Sequence, residues 1–500
     1  MSSFDIVHQD RVVGNLCMFD RMIFKGHLTR LYPPASFGAF LTRQGVLLKD
    51  FKPYVQALTA TLKAHAQRLA ADAGRPYVWL QSSTTRRQGR SKEDLARDIA
   101  ARDGVVEGLV CVLGVLEPAT TFTVRGNRAT GQLEVARTST RCTHLYFYFI
   151  DRELGWLHVK LQSWLPLQIQ VWVNGHEWLA RRLDRAGIAY TRQGNALTSC
   201  ADLRAAQRLC LAFAHRRWPR LLAALARKVN PLLGAIGRAG GGSYYWVLDQ
   251  AEVATDTVFG DRAALEAVLP DLFDHATVAV GSEDVMRFLG RKLHGNFVGE
   301  VTTDRRRRRE GIRVKHTLNR NSIKVYDKAN VLRVETTINN PREFKVPRQV
   351  DTPDGPTRRW CRMGKGVANT WRYFQCGRTP TPATSTAWRP LSHTVRASAR
   401  SMPCAAPASA TAAATPGSVP LSPTTPPCSL PCSPARTPSL GCATAISSPG
   451  CTRTRLATRS SNAAAAPACP ARSPNCAATA CSPRSKTPAC TGPPTTGCAS

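Results

Sequence analysis

Polar and apolar positions alternate most clearly in Arg313–Val346, R-V-K-H-T-L-N-R-N-S-I-K-V-Y-D-K-A-N-V-L-R-V-E-T-T-I-N-N-P-R-E-F-K-V. Ile323, Val325, Val331 and Val334 are β-branched and separated by basic residues, which predicts two strands. Asp327-Lys328-Ala329-Asn330 supplies the turn chemistry between them. A period of two puts Arg333 and Glu335 on one face. Such neighbours form a structural ion pair or belong to an active or nucleic-acid-binding surface.

The same patterning predicts elements through the rest of the body. Asn15–Leu28 is a short apolar strand or helix. Phe37–Leu48 and Tyr54–Ala71 have helical periodicity, with Leu58, Leu62, His65 and Leu69 on one stripe. Tyr77–Leu80 is a strand, and Ser91 caps a helix with Asp94 completing a capping box. Gly108–Leu116 is a buried strand ending at Pro118, and Thr120–Val124 with Leu133–Ala136 forms a hairpin turned at Gly126-Asn127. His144–Ile150, Trp156–Trp164 and Ile169–Val173 are strands, and Asn174-Gly175 leads into a helix over His176–Ala186. Ala189–Leu197 is a hairpin turning at Gly194-Asn195, and Ala201–Val229 is one long helix stopped by Asn230-Pro231. Gly240–Gly242 is a hinge, Tyr244–Leu248 a strand, and Arg262–His275 and Ser282–Leu293 are helices. These elements predict an α+β fold, mixed or antiparallel sheets with packed helices, in two subdomains at 1–239 and 243–375.

Composition then narrows the partner. The formal net charge of +34 points to a polyanion, most simply DNA, although GC-rich genes also favour Arg codons. Arg305, Arg306, Arg307, Arg308 and Arg309 form a run that is either a solvated loop or, with Arg313, Lys315, Lys324 and Lys328 of the basic hairpin, a phosphate-binding surface. Met1–Gly14 has no apolar core of a signal peptide, and the apolar runs Leu109–Leu116 and Leu145–Ile150 are too short to span a bilayer. A cytoplasmic protein with no membrane partner is expected. Six of the seventeen cysteines lie before residue 376, none in a C-x-x-C, so no zinc site or disulfide framework is expected.

Lys324-Val325-Tyr326-Asp327-Lys328 followed by Leu332-Arg333-Val334-Glu335 resembles the "YDK" strand, turn and "LR-x-E" strand of phage and plasmid rolling-circle replication initiators. The segments 19–28, 151–164, 173–181, 289–297 and 363–369 are similar to a family of bacterial proteins without established activity, associated with repeated, mobile genes. One class of initiators uses a His-hydrophobic-His metal site, and His158-Val159-Lys160 lacks the second histidine. Another class binds its metal through carboxylates, which directs attention to Asp151, Glu153, Asp249, Glu252 and Glu335. Carboxylates converging from strand ends hold Mg²⁺ or Mn²⁺, and Tyr326, Tyr244 or Tyr245 would supply a phenolate nucleophile. Three readings stay open: a DNA-binding protein of a mobile or repeated element, a metal-dependent nicking or strand-transfer enzyme, and an inactive product of a broken frame. G-x-S-x-G, HRD, DFG, H-E-x-x-H and phosphate-loop motifs are all missing.

From Cys376 onward the chain contains no Asp, Glu, Phe or Tyr and is dominated by Ala, Pro, Ser, Thr, Arg and Cys. Such a segment at 376–500 cannot bury a core and reads as a disordered basic tail. It also reads as GC-rich DNA translated out of frame. Pairing the third base of each codon with the next two permits L-R-G-H-G-L-L-A-x-I-K-D-S-R-L-Y-R over 475–492 and D-A-N-A-R-Y-L-D-x-L-A over 378–389. The first string resembles the end of a winged helix-turn-helix, so one frameshift near Gln375 accounts for both. Resequencing the gene across codon 375 should reveal a single-base shift that restores this module; an intact, transcript-supported frame would refute it.

Overall fold

The computed structural model describes residues 10–81, 90–290, 300–308, 311–353 and 355–378. Its strands are β1 (Val12–Leu28), β2 (Tyr77–Leu80), β3 (Gly108–Gly126), β4 (Leu133–Asp151), β5 (Gly155–Gln162), β6 (Ile169–Asn174), β7 (Tyr190–Gln193) and β8 (Ala196–Cys200). They continue with β9 (Tyr244–Phe259), β10 (Val301–Arg308), β11 (Gly311–Leu318), β12 (Asn321–Lys328), β13 (Val331–Ile338), β14 (Lys345–Thr352) and β15 (Gly355–Arg362). Eleven of these form one sheet in the order β10-β11-β12-β13-β9-β1-β6-β5-β4-β3-β2. Only β2 runs parallel to its neighbour, β3. β7–β8 and β14–β15 are separate two-stranded ribbons. The α+β expectation holds.

The sheet has two unlike faces because successive residues of a strand point to opposite sides. One face carries Phe19, Phe24, Phe147, Leu157, Val171 and Val253, all buried in the main core. Helices Phe51–Asp72, Leu203–Ala214, Trp218–Val229 and Thr370–Arg378 pack on it. The other face is covered in patches. Helix Lys92–Arg102, started by the expected Ser91–Asp94 capping box, buries Cys111, Leu113 and Tyr148. The β7–β8 ribbon roofs β9 and β13, where Ala196, Val258 and Val331 form a small cluster.

Several expectations change in detail. The sheet runs unbroken past Gly240–Gly242, since β9, the first strand after them, pairs with β1 along its length, and the described residues fall in one compact unit. Arg313–Val346 contains three strands rather than two. Asn319, with φ of 53°, turns the chain once, and Ala329, with φ of 51°, turns it again, leaving Asp327 and Lys328 inside β12. Pro118 does not end a strand: β2 covers β3 only from Val112 to Val115, so the missing N–H of Pro118 faces an unpaired edge. The long helix at 201–229 breaks between Ala214 and Trp218, where Pro219 suits a helix start but not an interior. Arg305–Arg308 is not a loop but part of β10, paired with β11. β10 is the terminal strand on its side of the sheet, and its arginines discourage further strand pairing. Arg309 and the tail from 379 lie outside the described residues.

One close approach fixes the geometry used below. Helix Gly175–Arg185 begins where β6 ends, capped by the Asn174 side chain accepting from the His176 N–H at 2.9 Å. A Cβ on Gly175 would lie 2.2 Å from the Phe19 carbonyl oxygen, at the register shift between Phe19 and Arg21 that places Asp20. Backbone cannot yield there as a side-chain tip would. Gly175→Ala should therefore lower the unfolding free energy by about 1–3 kcal/mol, toward the upper end, read as a shifted urea midpoint.

Candidate functional site

Beneath the β7–β8 ribbon, adjacent strands β12, β13, β9 and β1 place charged side chains on one face. Register sets Tyr326 opposite Arg333 and Lys324 opposite Glu335. It sets Arg333 opposite Asp256 and Thr337 opposite Glu252, and Glu252 opposite Arg21. The guanidinium of Arg333, only 1% exposed, is the centre. Its NH2 lies 3.0 Å from Asp20, NH1 3.1 Å from Asp256 and Nε 3.2 Å from Glu335. NH1 also donates to the Asn195 carbonyl at 3.0 Å, at the turn of the roofing ribbon. The Asn195 amide in turn donates to Asp20.

Lys324 bridges Glu252 and Glu335, 2.9 Å from the latter. Tyr326 donates its hydroxyl to Glu335 at 2.5 Å. Arg21 reaches Glu252 at 3.0 Å, and the Thr337 hydroxyl donates to it at 2.9 Å. Asp20, Glu252 and Glu335 each bring an oxygen within 4.8 Å of the others, close enough to hold a metal ion. Four carboxylates, counting Asp256, face three cations, Arg21, Lys324 and Arg333.

This imbalance in a dry site sets the proton affinities. Burial raises Asp256 to about 7 against the pull of Arg333, and Asp20 to about 6. Burial also opposes the charge of Glu335, but Lys324, Arg333 and the Tyr326 hydroxyl outweigh it and hold that carboxyl at about 2. Burial raises the Tyr326 phenol strongly, so it is a neutral donor at rest. His176 Nε2 lies 3.3 Å from Arg333 NH2 and 3.8 Å from Asp20. Burial, then Arg333, push its pKa well below the usual value. A neutral ring therefore accepts from Arg333 at Nε2 and carries its proton on Nδ1, which is buried without a partner.

The outer side of the cluster opens into a cavity of about 150 Å³. Tyr326 and Glu335 line it together with Arg308, Arg313, Lys324 and Lys328. Among the described residues, Arg308, Lys315 and Lys328 pair with no carboxylate. Arg305 is tied to Asp274, and Arg306 and Arg313 reach Asp304. Arg307 is exposed on β10.

The other expected acids do not join the cluster. Asp151 caps its own hairpin, accepting from the N–H groups of Glu153 and Leu154 at 2.9 and 2.8 Å. Glu153 is held by Arg182 and Arg216. Asp249 lies between Lys25 at 2.8 Å and Lys365 at 2.6 Å. Tyr244 is buried and donates to the Leu167 carbonyl, and Tyr245 is exposed opposite His27 of β1. Asp20, Asp256 and Asn195 were not singled out. The available signal was a carboxylate set inside an apolar strand: Asp20 follows Leu16–Phe19, and Asp256 sits between two threonines of β9.

No protein-family model, curated protein or solved structure matches this chain, so the geometry carries the functional reading.

Asp20 and Asp256 bind protons in the folded state that they release when unfolded near their ordinary 3.8. Their contribution to stability is greatest below about pH 4 and falls as pH rises toward about 7. Glu335 has the opposite sign: its contribution is complete above its ordinary 4.5 and is lost as pH falls toward 2. Asp256→Asn should therefore flatten the decline of stability between pH 4 and 7, by up to about 1.4 kcal/mol per pH unit, in denaturant titrations across that range.

Proposed function

We propose that the chain binds the phosphate backbone of a nucleic acid, taken to be DNA, along β10–β12, with one phosphate seated over Tyr326. The observation that supports this is the cavity where Arg308, Arg313, Lys324 and Lys328 converge. Carboxylates neutralise Lys324 and partly Arg313, whereas Arg308 and Lys328 pair with no carboxylate among the described residues and can attract an anion. The net charge of +34 supplies long-range attraction for the same partner. A salt-dependent affinity follows, because each phosphate neutralised releases counterions.

A second reading rests on the Tyr326–Glu335 hydrogen bond beside the acidic group. Here the Tyr326 oxygen attacks the seated phosphorus and passes its proton to Glu335. A tyrosyl phosphodiester forms, and the displaced sugar oxygen leaves with a proton from water. Glu335, held near 2, is a weak base for a neutral phenol, so backbone binding is the leading reading. Asp20, Glu252 and Glu335 are the residues that would hold Mg²⁺ or Mn²⁺, whose preference for oxygen donors they meet. Such an ion supplies positive charge at the phosphate and eases phenol ionisation. Lys324 already contacts two of those acids and competes with it.

Fluorescence anisotropy with labelled DNA, at two salt concentrations, tests the first reading. Arg308→Glu with Lys328→Glu should weaken binding at least roughly tenfold and flatten its salt dependence by about two charges. Unchanged affinity would refute it. Tyr326→Phe should leave affinity intact but abolish any Mg²⁺- or Mn²⁺-dependent nicking of supercoiled plasmid. Wild-type protein that binds without nicking would remove the second reading and keep the first.

A further inference from the structure

Across the sheet from this site lies a second surface of different chemistry. Helix Thr370–Arg378 packs on β9 and β13, with Gly377 against Val253 and its carbonyl accepting from the Thr336 hydroxyl. Val253 and Thr336 are the strand neighbours of Glu252 and Glu335, so they point to the opposite face. Two cavities, of about 390 and 470 Å³, meet at Trp371 on this helix. The first lies against His215, Arg217 and Arg220, and the second against Arg358, Arg359 and Trp360.

The β14–β15 ribbon forms one wall, and its charges are arranged against its own stability. Arg348 stands directly opposite Arg359, and Lys345 opposite Arg362. Like charges in directly opposed positions repel across a strand pair. Among the described residues, Arg217, Arg220, Arg348, Arg358, Arg359 and Arg362 pair with no carboxylate. Trp360 is 59% exposed between them, with Arg372 5.2 Å from its ring centroid. Trp371 lies parallel to His215 within 12°. Phe344, Val346 and Met363 root the ribbon in the core, so the wall is anchored rather than free.

We infer that this cleft is a second nucleic-acid site, for a single strand, in which an unpaired base stacks on Trp360 and Trp371 while Arg217, Arg220, Arg358 and Arg359 hold the flanking phosphates. Unpaired cations alone would attract any polyanion. Aromatic rings interleaved with them favour a strand whose bases are free to leave their stack, because every base offers a flat face and a duplex hides it. The inference shares only the class of ligand with the reading of the first site. The two surfaces are on opposite faces, so variants of one leave the other intact.

The test uses the full chain and two fluorescein-labelled probes, oligo(dT) of about 20 nucleotides, a few times the span of such a cleft, and a duplex of the same length. Trp360→Ala should weaken oligo(dT) binding roughly 5- to 150-fold, the range for loss of one stacked base, and leave duplex binding within twofold. Trp360→Phe should restore most of the loss. Arg358→Glu with Arg359→Glu should weaken oligo(dT) binding in the Arg308→Glu, Lys328→Glu background as well as in the native chain, which separates this cleft from the first site. Intrinsic tryptophan fluorescence should be quenched by unlabelled oligo(dT), and less so in Trp360→Ala. Equal loss for duplex and single strand, no loss in Trp360→Ala, or displacement of oligo(dT) by equimolar poly-glutamate would each overturn the inference.

Discussion

The buried guanidinium of Arg333 is the interaction on which the polar half of the sheet depends. A planar fork with five donors can face several acceptors at once, and here it faces Glu335 of its own strand and Asp20, Asp256 and the Asn195 carbonyl from three other segments of chain. A charge this deep is costly unless it is compensated in every direction. The compensation requires β1, β9, β13 and the β7–β8 ribbon to be in place together. Arg333 therefore makes the fold of these strands and the assembly of the acidic group one event. It also explains why Glu335 stays ionised while Asp20 and Asp256, with less positive charge per oxygen, drift toward protonation.

Much of this was legible in the sequence, and the limits have physical causes. The alternation after the Asp327–Asn330 turn placed Arg333 and Glu335 on one face, and Glu252 and Tyr326 were among the residues named. The capping box at Ser91 and the strands from His144 to Val173 also read directly from local chemistry. Pairing partners did not, because a strand's own pattern says which face it shows and not which strand lies beside it. Asp20 and Glu335 are separated by most of the chain, and only the sheet order joins them. Asp151 and Glu153 misled for the complementary reason. Acids at a hairpin tip usually satisfy local N–H groups or nearby arginines, and these do both. The break at Pro219 and the turn at Asn319 were both written in residue type, but each was masked by the strong periodicity on either side.

The sheet separates two kinds of polar surface. On the face with Glu335, charge is internal: acids and bases pair beneath a roof, and a small cavity is lined by Arg308 and Lys328, which pair with no carboxylate among the described residues. On the face with Val253, charge is external: arginines and two tryptophans project from a ribbon and a helix that the main core supports. The apolar interior between them keeps the two electrostatic environments from mixing.

The arginines of β10 carry one consequence that does not depend on a ligand. Among the described residues β10 ends the sheet, and like charges on identical edges disfavour pairing between two copies of the chain there. A polyanion laid along that strand would cancel the repulsion without pairing with its outward N–H and C=O groups. On the proposed reading, an occupied edge would lose that protection, so ligand binding and edge-to-edge pairing would be linked.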